Sequence, residues 1–121
     1  MDVGKTWAKD FFVGDENTIR NFAMNIGDAN PLHHSNLAAK EAKLQGIIAP
    51  GVMIVGFVSS TIADEIPGVQ VRGLQMQFVN PLYAESFASV RCYVQQRKKQ
   101  LVKVAVTIKN GFETVAKGSC T

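Results

Sequence analysis

Alternating apolar and polar residues predict β-strands in the second half of the chain. Leu74, Met76 and Phe78 alternate with glutamines, and the same period of two recurs over residues 90–95, 102–109 and 112–119. Asn110-Gly111 is typical of a two-residue hairpin turn. Because only every second side chain is apolar, we expect an antiparallel sheet with one buried face and one solvated face.

The first half of the chain carries a strand pattern followed by helical patterns. Residues 7–13 form a candidate first strand before a glycine. Asp15 can cap a helix through about residue 26, because the apolar positions 19, 22, 23 and 26 lie on one helical face. Gly27 is a typical residue at the end of such a helix. Ser35 can cap a second, short helix that ends near residue 42.

Residues 47–62 form the most hydrophobic run of the sequence. Pro50 suits the first turn of a helix, which should end near Glu65 before Pro67-Gly68. At about 1.5 Å per residue this helix is roughly 23 Å long. It is apolar on nearly every side, so we expect it to be buried on every side. Since it alone is long enough to fill the buried face of the sheet, the sequence predicts an α+β hot-dog fold, a curved antiparallel sheet wrapped around a long central apolar helix.

Composition and charge limit the kinds of molecule that the protein is expected to bind. The 121 residues are 46% hydrophobic and 19% charged with a net charge of +3, as in an ordinary globular protein, and we expect one domain over residues 1–121. The basic residues are scattered apart from Arg97-Lys98-Lys99 at an apparent turn, so no nucleic-acid partner is expected. The apolar run is too short to span a membrane, and the N-terminus lacks the apolar segment of a signal peptide. Neither cysteine belongs to a metal-binding motif, so we expect no metal. Free thiols in a reducing cytoplasm are the simpler interpretation of the two cysteines, and a disulfide is the alternative.

Residues 27–33, Gly-Asp-Ala-Asn-Pro-Leu-His, carry the candidate chemistry. They place the Asp28 carboxylate and the His33 imidazole five positions apart on a turn fixed by Asn-Pro, which is a pairing that general acid–base catalysis needs. Each residue also has a simpler interpretation. An aspartate in this position often serves only to form a turn, and a lone histidine is often a surface residue. His34 is expected to face solvent, because adjacent side chains point in different directions.

These motifs resemble a known family. The chain is similar to segments of the MaoC-like (R)-specific enoyl-CoA hydratases at Phe22-Ala23, at residues 27–33, at Ile48-Ala49-Pro50-Gly51-Val52-Met53 and at Ile66-Pro67-Gly68. The resemblance covers roughly residues 10–119. One difference lies near the expected substrate site. The hydratases usually carry His-Gly-Met where this chain has Pro50-Gly51-Val52.

The resemblance implies an activity and a set of site residues. Asp28 and His33 would be catalytic and would hold one water, and the Gly51 N–H would bind the thioester carbonyl. Ser59 would support the carboxylate by a hydrogen bond, although a serine in a helix can instead bond to a carbonyl one turn earlier. Asn30 would fix the turn and contact the site. The implied substrate is an acyl-CoA or acyl-carrier-protein thioester, no cofactor is needed, and two identical subunits would join their sheets edge to edge.

Three alternatives remain open. A (3R)-hydroxyacyl-carrier-protein dehydratase, or one subunit of it, would use the same chemistry on a different carrier. A hot-dog thioesterase would direct water at the carbonyl carbon rather than at C3. A non-catalytic acyl-thioester-binding domain is suggested by the residue difference at Pro50.

Overall fold

The computed structural model describes residues 1–121 and contains five β-strands, three α-helices and one 3₁₀ turn. The strands and helices begin and end within a few residues of their predicted positions. In chain order the elements are β1 (Thr6–Phe12), α1 (Glu16–Asn25), the 3₁₀ turn (Pro31–His33), α2 (Asn36–Glu41), α3 (Gly51–Glu65), β2 (Leu74–Phe78), β3 (Phe87–Lys98), β4 (Leu101–Asn110) and β5 (Glu113–Cys120).

Both predicted N-caps are confirmed. The Asp15 carboxylate accepts hydrogen bonds from the N–H and the hydroxyl of Thr18, and these bonds lower the pKa of Asp15. The Ser35 hydroxyl oxygen accepts from the Ala38 N–H at the start of α2. Each cap satisfies a backbone donor that has no partner inside its helix. The Asp15 cap therefore fixes where α1 begins, and the Ser35 cap fixes where the chain leaves the loop that carries Asp28 and His33.

The sheet is antiparallel throughout, with strand order β1-β3-β4-β5-β2, so β1 and β2 are its edges. The inward-facing residues of the sheet pack against one side of α3. This arrangement is the hot-dog fold of the α+β class that the sequence predicted. The apolar core that the sheet and the helix form includes Met53, Ile54, Val58, Ile62, Val90, Cys92, Val104, Val106 and Ile108.

The other side of α3 is not covered by the chain. Val52 is 60% exposed, and Gly56, Ser59 and Ala63 are also exposed. These positions recur every three or four residues, so they form one stripe along the helix. The prediction that α3 is buried on every side is therefore wrong for a single chain. The physical reason is that one sheet can cover only one side of a helix, and no other element packs against the opposite side.

Edge strand β1 attaches the sheet to the second half of α3. The Trp7 indole N–H donates to the Thr61 carbonyl at 3.1 Å, and the ring of Phe11 stacks on Phe57 with centroids 4.6 Å apart. The Lys9 ammonium forms an ion pair with Asp64 on the same helix. These contacts set the position of α3 along the sheet, and with it the position of the N-terminus of the helix.

The β4–β5 hairpin differs slightly from its prediction. Asn110 still belongs to β4 and pairs with Glu113, so the loop residues are Gly111 and Phe112 rather than Asn110 and Gly111. Gly111 has a φ of +61°, which suits glycine. The register between β4 and β5 shifts just before the turn, between Ile108 and Lys109. One strand has an extra residue at this point, so the position of the loop moves along the chain.

Cys92 on β3 and Cys120 on β5 are buried free thiols of the apolar core, and β4 lies between their two strands. Burial, with a smaller contribution from the nearby Cys120, raises the pKa of Cys92 to about 11. Burial also raises the pKa of Cys120. Since the thiolate is the reactive form, neither cysteine is suited to act as a nucleophile at neutral pH. No helix is both long enough and apolar enough to cross a membrane.

Replacing Gly118 with alanine should destabilise the sheet. A Cβ at this position in β5 would lie 1.8 Å from the backbone oxygen of Gln75 in β2, so backbone would have to move. We expect Gly118→Ala to lower the free energy of unfolding by about 3 kcal/mol, the upper part of the range for overpacking. Gly73→Ala is the matched control, because nothing lies within 4 Å of its Cβ. Urea denaturation measures both variants, and equal midpoints would contradict the prediction.

Candidate active site

The turn after α1 fixes the Asp28 carboxylate. Gly27 reverses the chain with a φ of +74°. The Asp28 N–H then donates to the Ala23 carbonyl at 2.8 Å, and the Asp28 carboxylate accepts from the Asn30 N–H at 3.0 Å. The Asn30 side-chain oxygen accepts from the Leu32 N–H at 3.1 Å and thereby starts the 3₁₀ turn. Asn30 therefore fixes the turn, as expected from the sequence, while its own side chain lies on the exposed surface.

His33 lies at the end of this turn and is only 6% exposed. Its Nδ1 lies 2.7 Å from the Ile48 carbonyl oxygen. Because a carbonyl can only accept, Nδ1 must carry a proton and donate it. In the neutral imidazole Nε2 is then an acceptor, and it faces the Asp28 carboxylate at 3.5 Å. The structure thus brings together the two side chains that the sequence proposed as a pair.

The acceptor of His33 is itself held in place. The Ile48 N–H donates to the Leu32 carbonyl, and Ile48 forms an isolated antiparallel bridge with Tyr83. The next residue, Ala49, donates to the Leu82 carbonyl at 2.8 Å. The connector before α3 is therefore tied to the segment after β2, which orients the His33 ring from outside its own loop.

The prediction that His34 faces solvent holds only in part, because its ring lines a cavity but also contacts the backbone of its own loop. Its side chain is half-buried, and Nε2 lies 2.7 Å from the Asp28 carbonyl oxygen. The Arg20 Nε–H of α1 donates to the His34 carbonyl at 2.8 Å. The reason is that the 3₁₀ turn bends the chain around Asp28, so two consecutive histidines approach the same aspartate from different sides. No feature of the sequence spacing marks this contact.

A separate cavity lies next to each member of the Asp28–His33 pair. One is a cavity of about 480 Å³ with a mainly apolar lining that includes His33, Gly51, Ile54 and Phe78. The other, of about 570 Å³, is lined by Asp28, His34 and residues of the turn between them and α1. His33 therefore lines a mainly apolar cavity, while Asp28 lines a second cavity together with His34.

Gly51 begins α3 beside His33. The first backbone donors with a partner are Met53 and Ile54, which both bond to the Pro50 carbonyl, so the N–H groups of Gly51 and Val52 have no acceptor within the helix. The partial positive charge of a helix N-terminus adds to their capacity to stabilise an anion. A Cβ at Gly51 would lie 3.1 Å from the Phe78 ring, so the glycine lets this ring approach the helix closely. Phe78 is a second residue of the site region that the sequence analysis missed, since it lies far away in the chain.

Ser59 is not brought to Asp28. It lies about two turns beyond Gly51 on the exposed stripe of α3, and no hydrogen bond joins it to the carboxylate. The hydrogen bond expected from the sequence is therefore absent within one chain. The neighbouring Ser60 instead contacts the Lys9 ammonium at 3.1 Å, and the Thr61 hydroxyl bonds to the Phe57 carbonyl one turn earlier. No cluster of three or more His, Cys, Asp or Glu side chains is arranged to hold a metal ion.

Comparison with known proteins places this geometry in a family. Residues 5–116 match the MaoC like domain. No curated protein matches the sequence. Among solved structures, the R-hydratase PhaJ1 of Pseudomonas aeruginosa has a TM-score of 0.87 and 23% identity, and the match covers 99% of this chain and 79% of that one.

Two further structures are similar at low identity. The (R)-hydratase of A. caviae involved in PHA biosynthesis has a TM-score of 0.88 at 18% identity, over 99% of this chain and 94% of that one. The HadBC (3R-hydroxyacyl-ACP dehydratase) complex of Mycobacterium tuberculosis has a TM-score of 0.82 at 19% identity, over 98% of this chain and 94% of that one. At these identities the structures establish the fold. The domain match, which spans nearly the whole sequence, establishes the family: the chain belongs to the MaoC-like domain family.

Proposed function

We propose that this protein is an (R)-specific enoyl-thioester hydratase, a hydro-lyase that adds water reversibly to trans-2-enoyl thioesters. The observation that carries the proposal is the Asp28–His33 pair, in which an imidazole Nε2 faces a carboxylate oxygen at 3.5 Å beside an apolar cavity. The family and the similar hydratase and dehydratase structures support the same class of reaction. We assign this activity to residues 1–121 acting as one hot-dog domain.

The fixed orientation of His33 explains how a water would be activated. Its Nδ1–H is used by the Ile48 carbonyl, so the neutral ring offers Nε2 as an acceptor. The Asp28 carboxylate is a second acceptor. A water bound between them donates one hydrogen to each, which leaves an oxygen lone pair free to attack C3 of the substrate. General base help of this kind is worth about 10²- to 10⁴-fold in rate.

The remaining steps use the same pair and the N-terminus of α3. As the C3–O bond forms, the electrons of the C2–C3 double bond move onto the thioester oxygen, and the pair takes one proton from the water. The Gly51 N–H, which has no acceptor in the helix, stabilises the negative oxygen. The pair then delivers a proton to C2, so the net change is the addition of one water. The apolar cavity next to His33 suits the acyl chain.

A single assay separates this activity from the two alternatives of different chemistry. With crotonyl-CoA, we expect the absorbance of the enoyl thioester to fall without release of thiol, and chiral analysis to give (3R)-3-hydroxybutyryl-CoA. Because Asp28 and His33 approach from one side of the substrate, hydroxyl and proton should add to the same face, and the (3R) configuration is expected from the R-hydratases that the chain resembles. Release of thiol would identify a thioesterase. If neither change occurred, the non-catalytic acyl-thioester-binding domain would be the remaining alternative. A mainly (3S) product would mean that the pair or the carbonyl anchor is wrongly assigned. A parallel assay with crotonyl-carrier protein compares the two carriers.

Substitution of either member of the pair should abolish most activity. Asp28→Asn keeps the size of the side chain but removes the base, and His33→Asn keeps a donor near the Nδ1 position but removes Nε2. We expect each to lower kcat/KM by roughly 10²- to 10⁴-fold. Glu41→Gln, an exposed carboxylate on α2, serves as the control and should match the wild type. Near-normal hydration by folded Asp28→Asn would remove Asp28 from the mechanism.

We also propose that the protein functions as a symmetric homodimer. The exposed stripe of α3 supports this assembly, because Val52, Gly56, Ser59 and Ala63 are small or apolar side chains that no element of the chain covers. The edge strands β1 and β2 leave backbone groups available for sheet pairing. The stripe begins at Val52, directly after Gly51, so a partner on it would border the site. Ser59 would then face the partner rather than Asp28.

A charge on this stripe should weaken the dimer. In Val52→Glu a carboxylate would lose its water within the contact, and we expect the dissociation constant to rise at least about tenfold, or about 1.4 kcal/mol. Phe112→Glu is the control, because Phe112 is a fully exposed apolar residue at a hairpin turn away from α3. Sedimentation equilibrium measures both. A wild-type monomer at micromolar concentration with full activity would contradict the dimer proposal.

A further inference from the structure

We propose that His34 is a positioning residue that holds the Asp28 carboxylate in line with His33 through a hydrogen bond to the Asp28 backbone. The inference rests on the proposed function for its kinetic consequences. Its structural basis is the 2.7 Å contact from His34 Nε2 to the Asp28 carbonyl oxygen. His34 has no contact of its own with the carboxylate, so its influence on the reaction must pass through Asp28.

The hydrogen bond from His34 completes the constraint on Asp28. The Asp28 N–H is fixed by the Ala23 carbonyl at 2.8 Å, and its C=O is fixed by His34. The N–H and the C=O of one residue belong to two successive peptide planes, and fixing both planes fixes the direction of the Cα–Cβ bond between them. The Asn30 N–H, 3.0 Å from the carboxylate, then sets the rotation of the side chain. Without His34, one of the two peptide planes is free to rotate.

His34 is held in turn by α1. The Arg20 Nε–H donates to the His34 carbonyl at 2.8 Å, and the Arg20 guanidinium pairs with Glu16 at 3.2 Å one turn earlier. The Glu16 carboxylate also accepts from the Asn36 side chain at the start of α2. These bonds connect α1, the catalytic turn and α2. Hydrogen bonds from α1 and α2 therefore hold the loop that carries His34. The His34 ring is kept in place by this loop and can in turn hold the Asp28 carbonyl.

The chemistry of the contact fixes which atom matters. The Asp28 carbonyl can only accept, so His34 Nε2 must carry the proton. In glutamine the side-chain amide nitrogen lies nearly where histidine has Nε2. In asparagine the amide nitrogen lies nearly where histidine has Nδ1, and this shorter side chain does not reach the carbonyl. His34→Gln and His34→Asn therefore form a matched pair that differs in whether the hydrogen bond to Asp28 is kept.

The kinetic experiment compares His34→Ala, His34→Asn and His34→Gln with the wild type in the crotonyl-CoA assay. We expect Ala and Asn to lower kcat by about 10- to 100-fold, since misplacing a catalytic group by on the order of 1 Å has effects of that size. KM should change by less than about threefold, because the lost interaction concerns the reacting group rather than substrate binding. Gln should retain kcat within about threefold of the wild type. A wild-type kcat for Ala, or a Gln variant as poor as Asn, would overturn the proposal.

A second kinetic test asks whether His34 acts through Asp28. In an Asp28→Asn background there is no carboxylate to position, so adding His34→Ala should lower kcat little further. Effects of residues that act as one unit are non-additive in this way. A full additional loss would show that His34 contributes separately, which contradicts a positioning role.

An NMR readout keeps the inference independent of enzymatic activity. The ring ¹⁵N and ¹H chemical shifts of His33 report on the Asp28 carboxylate, which lies 3.5 Å from Nε2. We expect these shifts to change in His34→Ala and His34→Asn and to remain at wild-type values in His34→Gln. If the wild type proved inactive on enoyl thioesters, the proposed function would fail, while this comparison would still decide the role of His34. Unchanged His33 shifts in all three variants would overturn it.

Discussion

The packing of α3 against the inner face of the sheet is the constraint on which the rest of the structure depends. Valines and isoleucines of β3 and β4 meet Met53, Ile54, Val58 and Ile62 of the helix in one continuous core. Each such side chain contributes about 1.5–3 kcal/mol when it is fully buried. The contacts of Trp7, Lys9 and Phe11 then fix the helix along its length. As a result the first turn of α3, with the free N–H of Gly51, stays at one end of the core.

The turn that carries Asp28 and His33 is built against that end of the core. Ile47 and Ala49 are buried, and their backbone bonds to the segment after β2 hold the Ile48 carbonyl between them. This carbonyl decides the tautomer of His33 and aims Nε2 at Asp28. The acid–base pair therefore depends on three separate parts of the chain, although its two members are only five residues apart.

Two adjacent histidines serve Asp28 in different ways. His33 presents a ring nitrogen to the carboxylate, while His34 presents one to the backbone carbonyl of the same residue. One ring nitrogen of each histidine bonds to a carbonyl oxygen, but only His33 has its second nitrogen directed at the Asp28 carboxylate. The different roles arise from the direction in which the 3₁₀ turn points each side chain, since the residues themselves are chemically identical.

The sequence by itself determined most of the local structure. The period-two alternation located the strands, the polar residues Asp15 and Ser35 marked the helix starts, and the Asn-Pro turn placed Asp28 near His33. These features depend on neighbours a few residues away, so they can be predicted from a short stretch of chain. Tertiary structure decided what remained. It left one side of α3 uncovered, placed Ser59 on that side rather than at Asp28, brought Phe78 onto Gly51, and brought the His34 ring to the Asp28 carbonyl. Each of these outcomes depends on where a distant segment or a turn places an atom in space, and the order of residue types along the chain does not contain that information.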